Sequence, residues 1–390
     1  MRSLALKIWI GLSISLSLLT CVDPIDAPID SSLNVLIVEA TLTDKAEPQL
    51  IRLTRSQADR LTGRFGTVPI TKATVQILVD SAQVVRAEET TDGRYQLPAD
   101  FRANVDHVYQ LQFTLSDGTH YQSTPEPLLP VAPIGQLRAQ FNPASLTSTE
   151  RLNNTYSAAH DFYVDFTDPA HQANYYRWDW IDWESQPWCR TCSQGLYQVR
   201  DAQGALLEDC VPANSNFFTA TFDYPCRTLC WEILYSHDLM LFQDAYTNGQ
   251  SVKSLLVGRV PLYSTDPCLV EIRQSSLTKQ AYEYVNQLDQ QTQHSGGVAA
   301  GQPALLVGNV RNVAKPNEVV VGYFTVSSVS SVRYWLSRSD ASSIAPGLFE
   351  ALNGRGPVDE PASNLAGRPP TAVCVASDSR TPNKPQGWRD

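Results

Sequence analysis

A chain of 390 residues, 43% apolar and 18% charged, is too long for one ordinary domain and suits two. Its formal net charge of −10, without a basic cluster, argues against nucleic acid and against anionic lipid headgroups as partners. Eight cysteines are many for a cytosolic protein and natural for an exported one. The 25 prolines and abundant Val, Thr, Tyr and Trp favour strands over helices.

The first twenty residues carry Arg2 and Lys7, then an uncharged run from Ile8 to Leu19. That run falls short of the ~20 residues a membrane span needs and reads as a secretory signal. Cys21 stands where the run stops, so residues 1–20 read as a lipoprotein signal and Cys21 as the diacylated mature N-terminus. The alternative is an ordinary signal peptide that contains a cysteine, and Thr20 occupies a place where a small Gly, Ala or Ser is usual. Loss of Arg2 and Lys7 takes the charge from −10 to −12, so membrane attachment rests on the acyl chains of Cys21. Residues 21–32 read as an extended tether, in which Asp23 and Asp26 are either an acidic sorting signal or part of a solvated linker.

Residues 33–128 form the first expected folded unit. Its strand candidates are Val35–Thr43, Gln49–Thr54, Ala73–Val79, Arg94–Leu97, Val108–Leu115 and Thr119–Ser123. In Ala73–Val79, apolar Val75, Ile77 and Val79 alternate with other residues, the period of a half-buried strand. Asp92-Gly93 and Asp117-Gly118 each sit between strands, a strong hairpin signal. Short strands at this density predict an antiparallel sandwich of immunoglobulin or transthyretin type, and Gly93-Arg94-Tyr95 favours the latter. Pro125–Gly135, with four prolines in eleven residues, is the expected boundary and a semi-rigid linker.

Residues 129–390 form the larger, β-rich unit. Asp161–Thr167 alternates as a strand does. In Asn174–Trp183, Tyr176, Trp178 and Trp180 share one face and Tyr175, Arg177, Asp179 and Ile181 the other. This reads first as a central core strand; the alternative is an exposed aromatic platform that stacks on a sugar or peptide. Residues 189–230 are an irregular cysteine-rich insertion. Leu277–Gln293 suits one amphipathic helix, ended by Gly296-Gly297. Ala304–Val310 and Glu318–Val326 return to strands, and the tail from Ser339 shows little periodicity. The fold class is therefore all-β: a sandwich followed by a larger sandwich-like domain with one helix.

Among groups that could carry chemistry, Cys189, Cys192, Cys210, Cys226, Cys230 and Cys268 are the candidate disulfide cysteines. Two closely spaced pairs, Cys189/Cys192 and Cys226/Cys230, could instead hold zinc through four thiolates, but an exported chain meets an oxidising compartment and disulfides are favoured. After Cys21 the count is odd, and Cys374 lies farthest from the rest in sequence. No G-x-S-x-G, H-E-x-x-H, P-loop or dinucleotide fingerprint is present. The six histidines, His107, His120, His160, His171, His237 and His294, are scattered singly. Asp161, Asp165, Asp168, Asp179, Asp182 and Glu184 lie on or beside adjacent strands. They lack the spacing of a calcium loop and read as a solvated strand edge, although a glycoside-hydrolase pair needs only to meet in space. No catalytic residue, metal or cofactor is assigned.

Several stretches together resemble one family: Cys21-Val22-Asp23-Pro24-Ile25-Asp26, Leu36-Ile37-Val38-Glu39-Ala40 and Asn174-Tyr175-Tyr176-Arg177-Trp178. Val307-Gly308-Asn309-Val310-Arg311-Asn312 with Val321-Gly322-Tyr323-Phe324-Thr325-Val326, and Asn383-Lys384-Pro385-Gln386-Gly387-Trp388, complete the set. The chain resembles the DUF4249 lipoproteins of Bacteroidota over nearly its whole length, most specifically in the Gly-Asn-Val and Gly-Tyr-Phe stretches. The resemblance implies an outer-membrane lipoprotein associated with a TonB-dependent transporter and carries over no catalytic residue. The leading expectation is thus a non-enzymatic accessory or ligand-binding protein that presents an exposed apolar or aromatic patch. A surface hydrolase of glycan or peptide, and a structural or adhesive envelope protein, are the alternatives.

Overall fold

The computed structural model describes residues 34–58, 65–212, 221–293, 306–360 and 371–389. The expected signal, Cys21, the tether up to residue 32 and Gly296-Gly297 lie outside them. In Leu36–Thr43 and Thr74–Val79 every second side chain is buried: Leu36, Val38, Ala40 and Leu42, then Val75, Ile77 and Val79. A strand of this pattern must cover one face, and here a single 12-stranded sheet curls around one core to do so. Gln83–Thr91 bridges its two layers, pairing with Thr74–Val79 on one side and Arg94–Gln96 on the other. That strand is largely exposed, with only Val85 and Ala87 half-buried against the core. Its hairpin turn uses Asp80 and Ser81 at φ 50° and 59° in place of a glycine, so no turn glycine marks it in the sequence.

The sheet is not complete at residue 128. Val310–Asn312 pairs with His120–Ser123, and Val320–Val321 and Phe324–Ser327 run parallel to Leu36–Thr43. The expected boundary at 128 is corrected accordingly: the chain leaves the first unit, builds most of the second, and returns. The returning segment is the stretch on which the family resemblance is most specific. Asn309 explains it, because its amide mimics a strand neighbour. Nδ2 donates to the Phe324 carbonyl at 2.9 Å and Oδ1 accepts the Phe324 N–H at 2.8 Å. Gly322, at φ 104°, passes so close to Val38 that a Cβ would lie 1.9 Å from its carbonyl oxygen, and one on Gly308 would lie 1.6 Å from the Gly322 oxygen.

Glu126 anchors the same place. Buried, it accepts hydrogen bonds from Asn309 Nδ2 (3.2 Å), Tyr323 OH (3.0 Å), Thr124 Oγ1 (3.2 Å) and Thr278 Oγ1 (3.0 Å). Burial pushes its carboxyl above the usual range, and these donors oppose the shift. Thr278 Oγ1 also accepts the Ala281 N–H, a capping bond that starts the helix Lys279–Gln293.

The second unit is a sandwich, so the all-β, two-sandwich fold class holds. A three-stranded sheet of Gln136–Asn142, Ala159–Thr167 and Ser251–Pro261 packs on a six-stranded sheet centred on Cys268–Leu277 and Tyr175–Ser185. Cys268–Leu277 is buried on both faces, and so lacks the alternation that would reveal it. One run of chain, Phe324–Leu336, passes from the first sheet into the second, where Val329–Leu336 pairs with Cys268–Leu277. Across the junction Arg273 holds both carboxylate oxygens of Glu47, at 2.8 and 2.6 Å. Asp44 accepts the Val329 N–H at 2.9 Å and the Ser328 hydroxyl. The proline-rich stretch expected to act as a semi-rigid linker is pinned as well. Glu126–Pro127 pairs with the strand Val108–Thr114, and Ile134 N–H donates to Ser330 Oγ at 3.1 Å.

The clamp gives a direct test. Asn309→Ala would leave the fully buried Phe324 amide and carbonyl without partners, a loss of about 3 kcal/mol. Asn309→Asp should cost more, because it sets a second carboxylate against Glu126. Urea unfolding of the purified chain measures both.

Candidate functional site

Tyr176, Trp178 and Trp180 are 1%, 1% and 4% exposed. The aromatic-platform reading is therefore corrected: these side chains face the opposing sheet, and Phe166 packs on Tyr176 with ring centroids 5.9 Å apart. The other face is partly covered too, by Tyr282 on Tyr175 and by the Arg333 guanidinium over Trp183.

The same strand carries the inward alternation on to Asp182 and Glu184, both buried. The apolar stripe thus ends in two acids inside the sandwich. The expectation of a solvated edge fails for Asp161, Asp168, Asp182 and Glu184, all of which are buried. Each neighbouring acid except Asp182, whose only ion pair is a long one to Arg338, has close hydrogen-bond partners. Asp161 accepts from Asn142 and Ser145, Asp165 is held by Arg138 and Ser254, Asp168 by Asn174 and Tyr176, and Asp179 by Arg177 and Arg273.

Glu184 is gripped by Arg338, whose Nη1 lies 3.1 Å from Oε2 and whose Nη2 donates to Oε1. Arg338 takes a left-handed φ of 56° just past the strand Val329–Leu336. It also reaches Ser264 Oγ at 3.3 Å and the Asp266 carbonyl at 2.9 Å. Neither oxygen of Asp182 has a hydrogen-bond partner, and Arg338 Nη2 stays 3.9 Å away. Burial, then the Glu184 charge, holds the Asp182 carboxyl far above the ordinary carboxylate range. Burial likewise raises the thiol of Cys268 beside it.

Three disulfides close the insertion: Cys189–Cys226, Cys192–Cys210 and Cys230–Cys374. One expectation is corrected here. Cys268, placed among the disulfide candidates, is free and buried because it opens a core strand of the sandwich. Cys374, farthest in sequence, pairs instead, because the tail returns to the insertion: Arg227 N–H donates to the Ala372 carbonyl at 2.8 Å and Ala372 N–H to that of Pro225 at 2.8 Å. With Cys189, Cys226 and Cys230 all oxidised, the four-thiolate zinc alternative has no thiolates to use.

Around these disulfides the chain exposes apolar side chains. Leu229 and Val375, which flank the Cys230–Cys374 bond in sequence, are 68% and 58% exposed, and Leu207 is 65% exposed. Leu207 precedes Glu208, which pairs with Arg227 at 2.8 Å, two residues from Leu229. Val358, whose backbone N–H and carbonyl both bond to Asp223, and Leu352 add further exposed apolar surface beside this unit. Sequence periodicity could not find these side chains, since they come from three separated segments.

Two further features were not legible. A groove of about 910 Å³ on the first unit lies between the turn Asp117–Thr119 and residues 312–318, with Arg55, His120 and Lys315 facing Asp117 and Glu318. Glu318 is already committed to Tyr121 OH at 2.8 Å and to Asn312. Asp238 and Glu150 share a hydrogen bond, and burial, then that bond, raises Asp238 to about 6. Direct contact sets these carboxyls closer than the ~5 Å or more of a glycosidase pair. Of the histidines, His160 is buried against Asp340 at 3.0 Å and His107 pairs with Asp80 at 2.5 Å.

A family model described as a domain of unknown function, DUF4249, matches residues 22–333. The chain belongs to that family. No curated protein matches it. The DUF4249 match spans both sandwiches, the cysteine insertion except Cys374, and the Asn309 clamp, and stops within the strand Val329–Leu336. Arg338, which neutralises Glu184, lies just beyond it.

Two outcomes follow. Arg338→Met strands a buried carboxylate and should cost about 3–5 kcal/mol in urea unfolding at pH 7. Asp238→Asn should stabilise the chain by on the order of 1 kcal/mol at pH 7 and leave it unchanged near pH 4. The sign follows from a folded-state pKa raised above the unfolded one: the fold favours the protonated acid, so wild-type stability is lost as pH rises toward 6. Thermal melts of both proteins across that interval read the effect.

Proposed function

We propose that the chain is a non-enzymatic envelope lipoprotein of Bacteroidota, held at the outer membrane by acyl chains on Cys21. It works there as an accessory or ligand-binding partner of a TonB-dependent nutrient transporter. The observation that supports a binding role is the distribution of apolar surface. The aromatic strand is buried, whereas Leu207, Leu229 and Val375 stand out on a unit stiffened by three disulfides. Exposed apolar patches rimmed by polar groups mark interaction sites, and here the rim is the Glu208–Arg227 pair. The transporter as partner rests on the family resemblance, and the anchor on the Arg2–Cys21 pattern. The hydrolase alternative draws little from the acidic residues, since Asp161, Asp165, Asp168 and Glu184 are spent on arginines, amides and hydroxyls inside the fold and Asp182 is fully buried.

The test is extraction of native membranes in a gentle detergent, followed by pull-down on a C-terminal tag. A TonB-dependent barrel should co-purify in near-equal amount. The triple variant L207E/L229E/V375E should lose it about tenfold while remaining in the membrane fraction, and Cys21→Ala should release the protein from that fraction. Recovery of the anchored protein without a barrel would end the accessory role. Loss of anchoring alone would leave the apolar face to be tested on the soluble form.

A further inference from the structure

The second sandwich holds one arrangement that its own hydrogen bonds do not explain. Asp182 is 0% exposed, neither of its oxygens has a hydrogen-bond partner, and its ion pair with Arg338 is long, at 3.9 Å. Burying a polar group in that state is costly. Arg338, the nearest cation, spends its fork on Glu184, and its Nε is also unpartnered. One oxygen each from Asp182 and Glu184 and the Cys268 sulfur lie within 4.8 Å of one another, all buried. Cys268 is, among the described residues, the cysteine left out of the disulfides.

We propose that Asp182, Glu184 and Cys268 form a buried site for one divalent transition-metal ion, with zinc as its natural occupant. The donor set is two carboxylates and one thiolate, all ordinary zinc ligands. A soft thiolate selects against calcium and magnesium, which take oxygen alone. Charge supports the same assignment. Without a cation, one arginine faces two acids, and its guanidinium is spent on Glu184. On binding, the ion displaces the Asp182 and Cys268 protons to solvent and forms metal–oxygen and metal–sulfur bonds. Two carboxylates and a thiolate then balance Arg338 and a dication, with no net charge left in the core. The oxygens without partners gain one, and the fourth position falls to a water or to the second oxygen of a carboxylate. The ion enters before the sandwich closes, so the site is structural: it ties Tyr175–Ser185 to the start of Cys268–Leu277, strands that are already paired from Tyr175 to Trp183.

Metal content of the full chain, produced with its disulfides formed in zinc-supplemented medium, decides the matter. About one zinc per chain is expected by mass spectrometry of the folded protein, falling at least tenfold in Cys268→Ser and in Asp182→Asn. Asp182→Asn exchanges an oxygen for an amide of the same shape, and it reads the site even where Cys268→Ser does not fold. Protein grown with cobalt should show a thiolate-to-cobalt absorption band in the near ultraviolet that Cys268→Ser abolishes. Folded wild-type protein with less than a tenth of an equivalent of metal would overturn the site. So would metal content that is equal in the wild type and both variants.

Discussion

The fold depends on the return of residues 308–327 to a sheet that the chain left near residue 128. A parallel strand placed this late in sequence needs something to hold its free side, and Asn309 does so with a paired amide contact to Phe324. Around that contact, two glycines permit backbone approaches that any side chain would block. Glu126 gathers donors from the first unit, the returning strand and the threonine that caps the helix. Since Phe324–Leu336 then continues into the second sheet, fixing the return also fixes one sandwich against the other. The Glu47–Arg273 and Asp44–Ser328 contacts hold the same junction from its other side. This is why the stretch that most resembles the family is architectural.

Legibility in the sequence followed burial pattern. Strands with one dry face, such as Leu36–Thr43 and Thr74–Val79, declare themselves by alternation. Gln83–Thr91 is mostly wet and Cys268–Leu277 is dry on both faces, so neither shows a period of two along its length. The acids escape the pattern for a related reason. Asp182 and Glu184 continue the inward face of Tyr176, Trp178 and Trp180, yet an acid on a strand is normally taken as outward. Only the partner decides it, and Arg338 lies 154 residues from Glu184. The disulfides depend on equally distant information: Cys374 reaches Cys230 across 144 residues because the tail pairs with Cys226–Arg227. Spacing alone could not prefer it over Cys268.

A sandwich that carries charge in its interior has to compensate it locally, and this one does so at its end. Replacing one partner of a buried pair costs far more than the pair contributes, so Arg338 and Glu184 constrain each other more than they stabilise the chain. Their value is positional: they tie the end of Val329–Leu336 to the aromatic strand across Cys268–Leu277, which lies between them. Asp182 has only a long ion pair to Arg338 and no hydrogen-bond partner for either oxygen, which singles it out among the buried acids.

The insertion between Tyr175–Ser185 and Trp231–Tyr235 is where the chain can vary without disturbing either core. Those two strands are paired neighbours, Ser185 opposite Trp231, so the segment between them leaves and re-enters the sheet at adjacent points. A loop of that kind adds nothing to the sandwich core and has to supply its own rigidity. Three disulfides and a small core around Tyr197, Phe222 and Tyr224 do so. Function tends to sit on such segments when a rigid scaffold presents them. Stiffening also lowers the entropy lost when a surface is fixed against a partner. Leu207, Leu229 and Val375, exposed on segments held by cross-links, are therefore better prepared for binding than the same side chains on a free loop would be.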